Sequence, residues 1–207
     1  MNWRPALAGV LAVAGISVLG VAVVGSSGST PAAPAASTAP SASAVPAPAV
    51  ASASSPPISI SIPKIGVMTL LGKPLGLNPD GTVQVPDVAT PEIPAWFGLG
   101  TRPGDPGNAV IIGHVDGGSG GVVKLGVFHG LSALAPGDQV KVGRENGTTV
   151  TYSVTAVQVI NKGKFPSAQV YGPTSEPWLQ LVTCFGPFSK ETGNYADSLI
   201  VYSKLVQ

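Results

Sequence analysis

Apolar and polar residues alternate with period two in many short stretches of this chain, and each stretch ends in a turn signal. ISISIPKIGV, beginning at Ile58, has the pattern of a half-buried strand, with Pro63 marking an edge or a bulge. A turn at Asn78–Gly81 (NPDG) leads to a short strand, Thr82–Pro86. Between Pro91 and Gly107 the chain is rich in Gly and Pro and carries Trp96, which is expected to pack over one end of the core. Ala109–Ile112 reads as a buried strand that ends at Gly113, and a Gly-rich loop follows at Gly117–Gly121. Val122–Leu134 predicts one short helix with Phe128 and Leu131 facing in. Pro136–Gly143 is a turn and a strand, and a tight turn at Glu145–Gly147 opens the long alternating run Thr149–Val159. Two more strands, Leu179–Thr183 and Ser198–Leu205, close the chain. Many short strands without a repeat or a long amphipathic helix predict an all-β domain, a barrel or a sandwich.

The N-terminal part follows other rules. Ala6–Gly25 is uncharged and mostly apolar, with Ser17 as its clearly polar residue. About 20 residues in a helix span roughly 30 Å, the thickness of a bilayer's hydrocarbon core. Arg4 precedes the run and the next cation is Lys64, so the charge bias places the N-terminus inside and the remainder outside. The reading is an uncleaved membrane anchor, and a cleaved signal peptide is the alternative. Ser26–Pro57 is almost entirely Ala, Pro and Ser, a composition that cannot offset the entropy of ordering and favours an extended tether. The expected organisation is therefore an anchor over residues 1–25, a disordered linker over 26–57 and one folded domain over 58–207.

Charge and cysteine count narrow the chemistry. Only 10% of residues are charged and the net charge is +1, so no basic surface for nucleic acid is expected. The single cysteine, Cys184, excludes an internal disulfide. It follows the apolar run Leu179–Val182 in LVTCFGPF, and Gly186 and Pro187 break the pattern just after it. His114 ends another apolar strand in AVIIGHVDG. A cysteine and a histidine at two strand ends form a candidate thiol-catalysis pair, with Cys184 as nucleophile and His114 as general acid and base. The plainer readings are an inert buried thiol and a structural histidine. Metal-ligand spacing and acidic clusters are absent, so neither a metal nor another cofactor is expected. His129 reads as structural and Asp116 as turn-stabilising, with orientation of the imidazole as its alternative role. Trp96, Trp178, Phe188 and Tyr195 read as core or groove lining, and Lys162 and Lys164 as a solvated loop.

With these pieces in order, the chain from Ile58 onward resembles the sortases, most closely the actinobacterial types called class E or F. The resemblance rests on IPKIGV, NPDGTVQVP, PGDPGNAVIIGHVDG, LAPGDQVKV and LVTCFGPF, all in the family's order. It implies an eight-stranded β-barrel with one or two short helices, anchored in the membrane with the catalytic domain outside the cell. It also implies a cysteine transpeptidase that cleaves a C-terminal sorting signal of the LPxTG type on exported proteins; a monomer is expected. The acyl group would pass through a thioester on Cys184 to an amine of a peptidoglycan precursor or a pilin, with His114 moving the protons. Thr183 and nearby backbone amides are candidates for holding the substrate or its oxyanion.

The chain departs from the family pattern at one position. Sortases generally carry an arginine on the last strand pair, in class F within a segment like YRDN; here Tyr195–Ser198 reads YADS and the matching residue is Ala196. Loss of such a donor typically costs about 100- to 1,000-fold in rate. Arg102 and Lys190 are the substitutes to consider. Phe185, where a small glycine is common, is expected to narrow the groove. Ala196 also opens a second reading, a weak or inactive sortase-like domain that binds sorting signals or wall components. An L,D-transpeptidase, a third possibility, is expected to carry an SHGC-type motif that LVTCFGPF does not fit.

Overall fold

The structure, a computed structural model, describes residues 54–206. The predicted anchor and most of the predicted linker lie outside them. Among the described residues no helix is long and apolar enough to cross a membrane.

Ten strands follow in chain order: β1 (Pro57–Ile62), β2 (Val67–Leu70), β3 (Ala95–Trp96), β4 (Gly107–Ile112), β5 (Asp116–Gly117), β6 (Lys124–Leu125), β7 (Gln139–Arg144), β8 (Thr149–Asn161), β9 (Pro177–Ser189) and β10 (Asn194–Leu205). One α-helix, α1 (Ser167–Tyr171), lies between β8 and β9. Eight strands form one sheet in the order β2-β1-β7-β8-β10-β9-β4-β3, and β5 and β6 form a separate hairpin. The sheet curls until its two ends meet. The chain beyond β2 runs along β3, where Gly72 N–H donates to Pro94 O (2.8 Å) and Leu75 N–H to Trp96 O (2.8 Å). These bonds join the seam of the barrel and satisfy backbone groups that would otherwise form an exposed edge.

The alternation in the sequence decides which side chains enter the barrel. Ile60 and Ile62 of β1 point in together with Val140 and Val142 of β7, Tyr152 of β8, Leu179 and Leu181 of β9, and Leu199 and Val201 of β10. The opposite face of β4, β9 and β10 is also covered. There Val110, Ile112, Val182 and Ile200 pack against Val170 of α1 and against Leu75. β4 is thus buried on both faces, which is why it reads as a continuous apolar run rather than an alternation.

The structure changes several of the expected elements. ISISIPKIGV is not one strand. Pro63 has no N–H for the ladder and starts a 3-10 turn, Pro63–Ile65, which ends at Gly66 in the left-handed conformation (φ 67°). The chain then folds back as β2, with Ile62 facing Val67. Thr82–Pro86 makes only an isolated bridge, Leu77 with Val83, and is not a strand. In the Val122–Leu134 segment Phe128 and Leu131 are buried as expected, but the helical element is a single 3-10 turn, Leu131–Ala133. The α-helix lies later, at α1. Trp96 lies in β3, buried within the core cluster, with its indole N–H donating to Thr101 O (3.0 Å).

Candidate active site

β4 and β9 run parallel and adjacent, with Ile112 paired to Val182. The ladder continues one residue further, where Gly113 N–H donates to Val182 O (3.1 Å). Side chains alternate along a strand, so residues two places on share a face. His114, two residues past the end of β4, and Cys184, within β9, stand at the same offset from the paired Ile112 and Val182, and both open onto the side away from the barrel core. Both are half-buried and both line one cleft of about 980 Å³.

Gly113 is needed for the close packing beneath His114. A Cβ there would lie 2.5 Å from the ring of Phe128 and 2.7 Å from a methyl of Val127. The turn is tied down again by Phe128 N–H, which donates to His114 O (3.0 Å). Past Cys184, Gly186 takes a left-handed conformation (φ 82°), and the pairing with β10 shifts register between Tyr195 and Asp197. Ala196 lies at that shift and is exposed.

The imidazole of His114 is held by the backbone. Its Nε2 is 2.8 Å from Pro86 O. A carbonyl oxygen only accepts, so Nε2 carries the proton and Nδ1 is the basic nitrogen of the neutral ring. Asp116, the other candidate for orienting His114, instead accepts a hydrogen bond from the Tyr195 hydroxyl. That bond joins the β5–β6 hairpin to the start of β10 across the cleft. Desolvation in the cleft wall, reinforced by the bond to Asp116 and its charge, pushes the Tyr195 phenol up to about 12. Phe188 packs edge-on against the Tyr195 ring, with centroids 5.1 Å apart, so the expected groove-lining role of both is met.

Lys162 corrects the expectation of a solvated loop. β8 ends at Asn161, whose side chain caps the following 3-10 turn by accepting from Gly163 N–H (3.0 Å). The turn aims Lys162 back across β10, and its Nζ donates to Cys184 Sγ at 3.4 Å. A second donation goes to Asn194 Oδ1, which also accepts from Tyr195 N–H (2.9 Å). Lys164 is exposed, as expected. Neither expected substitute for an arginine lines the cleft. Arg102 is exposed and donates to Ser54 Oγ (3.1 Å), and Lys190 is exposed. Arg144 is buried and bonded to Thr148 Oγ1 (2.7 Å).

The other sequence candidates sort simply. Thr183 is buried beside Cys184, and its hydroxyl has no partner among the described residues. His129 Nδ1 contacts Gly126 O (2.8 Å) and stands outside the cleft, in keeping with a structural role. Among the described residues no group of His, Cys, Asp and Glu is arranged to hold a metal ion. The rim of the cleft is apolar on one side, where Val85, Val88, Val122 and Val123 are exposed. Asp80, also in the cleft lining, is held below the usual carboxylate range by the hydroxyl and backbone N–H of Thr82.

Comparison with known proteins agrees with this architecture. Similar solved structures include sortase A from Corynebacterium diphtheriae, at 22% identity and TM-score 0.53, covering 74% of this chain and 62% of that one. Sortase C-1 from Actinomyces oris matches at 22% identity and TM-score 0.53, over 73% of this chain and 75% of that one. A sortase D5 transpeptidase from Clostridium perfringens matches at 23% identity and TM-score 0.50, over 73% and 79%. The chain thus spans less than two thirds of the sortase A structure, and at these identities the likeness establishes the fold. No curated protein sequence matched. The Sortase domain family model matches residues 60–206, a span that runs from within β1 to the end of β10 and includes both His114 and Cys184. The chain belongs to the sortase family.

Proposed function

We propose that this protein is a cysteine transpeptidase acting on a sorting signal of the LPxTG type in exported proteins. The observation that carries the reading is the delivery of Cys184 and His114 into one cleft by paired parallel strands. The Cys184 thiol passes its proton to His114, and Sγ attacks the scissile carbonyl to form a tetrahedral intermediate. The C–N bond breaks as His114 gives a proton to the departing amine, leaving a thioester. An incoming amine attacks that thioester, gives its proton to the imidazole and expels the thiolate. The bond energy kept in the thioester allows a peptide bond to be remade without ATP. A thiolate is strongly nucleophilic even where it is a minor species, so a weak base suffices.

The apolar rim of Val85, Val88, Val122 and Val123 suits the leucine and proline of such a signal. The acceptor in this reading is an amine of a peptidoglycan precursor or a pilin. The protein works as a monomer outside the cell, held to the membrane by Ala6–Gly25 and spaced from it by the Ala/Pro/Ser segment. The alternative, a domain that binds signals without cleaving them, is favoured by Ala196 alone.

The test is a transfer assay with full-length protein in detergent, LPxTG- and LAxTG-type peptides and a glycine-based amine. The reading predicts a ligated product that disappears in Cys184→Ala. Tight peptide binding by the wild type without cleavage of either peptide would support the binding module instead.

A further inference from the structure

The cleft contains a cation that comes from the turn after β8 rather than from the last strand pair. Among the described residues that line it, Lys162 is the one lysine or arginine. It is half-buried, its Nζ lies 3.4 Å from Cys184 Sγ, and Asn194 Oδ1 anchors it from the other side. Asn194 is itself fixed, because the same oxygen accepts from Tyr195 N–H. The path from Lys162 to Cys184 crosses β10, with Asn161 facing Asp197 on one side and Cys184 facing Ser198 on the other.

We propose that Lys162 is a catalytic residue that stabilises negative charge at the Cys184 centre, first on the thiolate and then on the tetrahedral oxyanion. The inference rests on the transpeptidase reading for its second half and on geometry alone for its first. A cationic donor within reach of the sulfur attracts the negative charge that develops there during attack. When Sγ bonds to the substrate carbonyl, the negative charge moves to an oxygen bonded to the same carbon. The ammonium then needs to shift little, because its stem is flexible and its three donors rotate. Asn194 is a positioning residue in this scheme. It holds Nζ against the sulfur without adding a charge of its own. A cation from the end of β8 thereby makes an arginine at Ala196 unnecessary.

The test separates the local charge from the transfer reaction. Full-length wild type, Lys162→Met and Lys162→Arg are alkylated at Cys184 at pH 7 and low salt, with anionic iodoacetate and with neutral iodoacetamide. A positive charge beside the sulfur speeds the anionic reagent selectively. The iodoacetate-to-iodoacetamide rate ratio is therefore expected to fall about tenfold in Lys162→Met and to hold within about threefold in Lys162→Arg. In the transfer assay, Lys162→Met is expected to lower kcat about 100- to 1,000-fold with little change in KM, and Lys162→Arg to recover most of the loss. An unchanged reagent ratio in a folded Lys162→Met protein overturns the assignment, whatever the transfer assay gives. A ratio that falls in a protein whose wild type transfers no peptide leaves the charge assignment standing and removes the transpeptidase reading.

Discussion

His114 and Cys184 stand at the same offset, each two residues beyond the paired Ile112 and Val182 of neighbouring parallel strands. Strands that run the same way end on the same side of a sheet, so one register fixes the height of both groups. The barrel holds these strands from both faces, with Ala109, Ile111, Leu179 and Leu181 inside and Val110, Ile112 and Val182 under α1. The site is therefore as rigid as the core beneath it. In this arrangement His114→Gln is expected to lower transfer by about 100- to 10,000-fold, the usual span for a lost acid–base group. Signal-peptide affinity, measured separately by fluorescence anisotropy, should change little. A comparable loss of affinity would mean that His114 binds rather than reacts.

The packing under Gly113 gives a second prediction. A methyl group added there meets the Phe128 ring at 2.5 Å, and Phe128 is itself buried. Gly113→Ala should cost about 1–3 kcal/mol by urea denaturation, as overpacked cores do. Pairing it with Phe128→Leu, which clears ring atoms from the clash, should make the two changes less than additive. Simple additivity would show that the glycine serves another purpose.

The bond from Tyr195 to Asp116 clasps the two walls of the cleft. Tyr195→Phe keeps the ring against Phe188 and removes only the hydroxyl. Water reaches the half-exposed Asp116, so the expected cost is about 1 kcal/mol. For a domain of this size, that is about 2–4 °C in Tm by calorimetry. The β5–β6 hairpin should also exchange its amide hydrogens faster. No change in exchange at Asp116–Leu125 would mean that the clasp does not hold the hairpin.

All four tyrosines keep their protons beyond the ordinary phenol range. Burial pushes Tyr152 and Tyr171 up to about 12 and raises Tyr202, and desolvation with Asp116 takes Tyr195 to about 12. The unfolded chain loses these protons near pH 10, which is about the free phenol value. Between about pH 10 and 12 the folded chain thus binds more protons than the unfolded one. Stability is complete below pH 10 and falls as pH rises through that window. Absorbance at 295 nm should show much less tyrosinate in the folded protein at pH 11 than in urea at the same pH, where about nine-tenths of the tyrosine is ionised. Tyrosinate in the folded protein near pH 10 would contradict the burial argument.

Much of this site was readable before the structure. His114 and Cys184 each follow an apolar run that stops near a glycine, a pattern visible in a single sequence, although only β4 ends there and β9 continues through Cys184 to Ser189. Strands with one buried face, such as β1 and β7, were readable from their period of two, and β4, buried on both faces, from its continuous apolar run. Lys162 was not readable. A lone lysine after Asn161 looks solvated, and its role depends on β8 and β9 flanking β10, a fact of topology rather than of local pattern. The β1–β2 hairpin was hidden because Pro63 reads equally as an edge or bulge within one strand; the sign of the turn is that Ile62 and Val67, five residues apart, fall on opposite phases of the alternation. At five residues, α1 is too short to show helical periodicity.

The central claim is a covalent acyl-enzyme on Cys184, and intact-protein mass spectrometry of full-length protein with an LPxTG-type peptide, quenched in acid before an amine is added, tests it most directly. The account predicts a mass increase equal to the peptide cleaved after its threonine. That adduct should map to Cys184, be released by hydroxylamine as a thioester must be, and be absent in Cys184→Ala. Intact peptide bound without any covalent adduct on wild-type protein would contradict it.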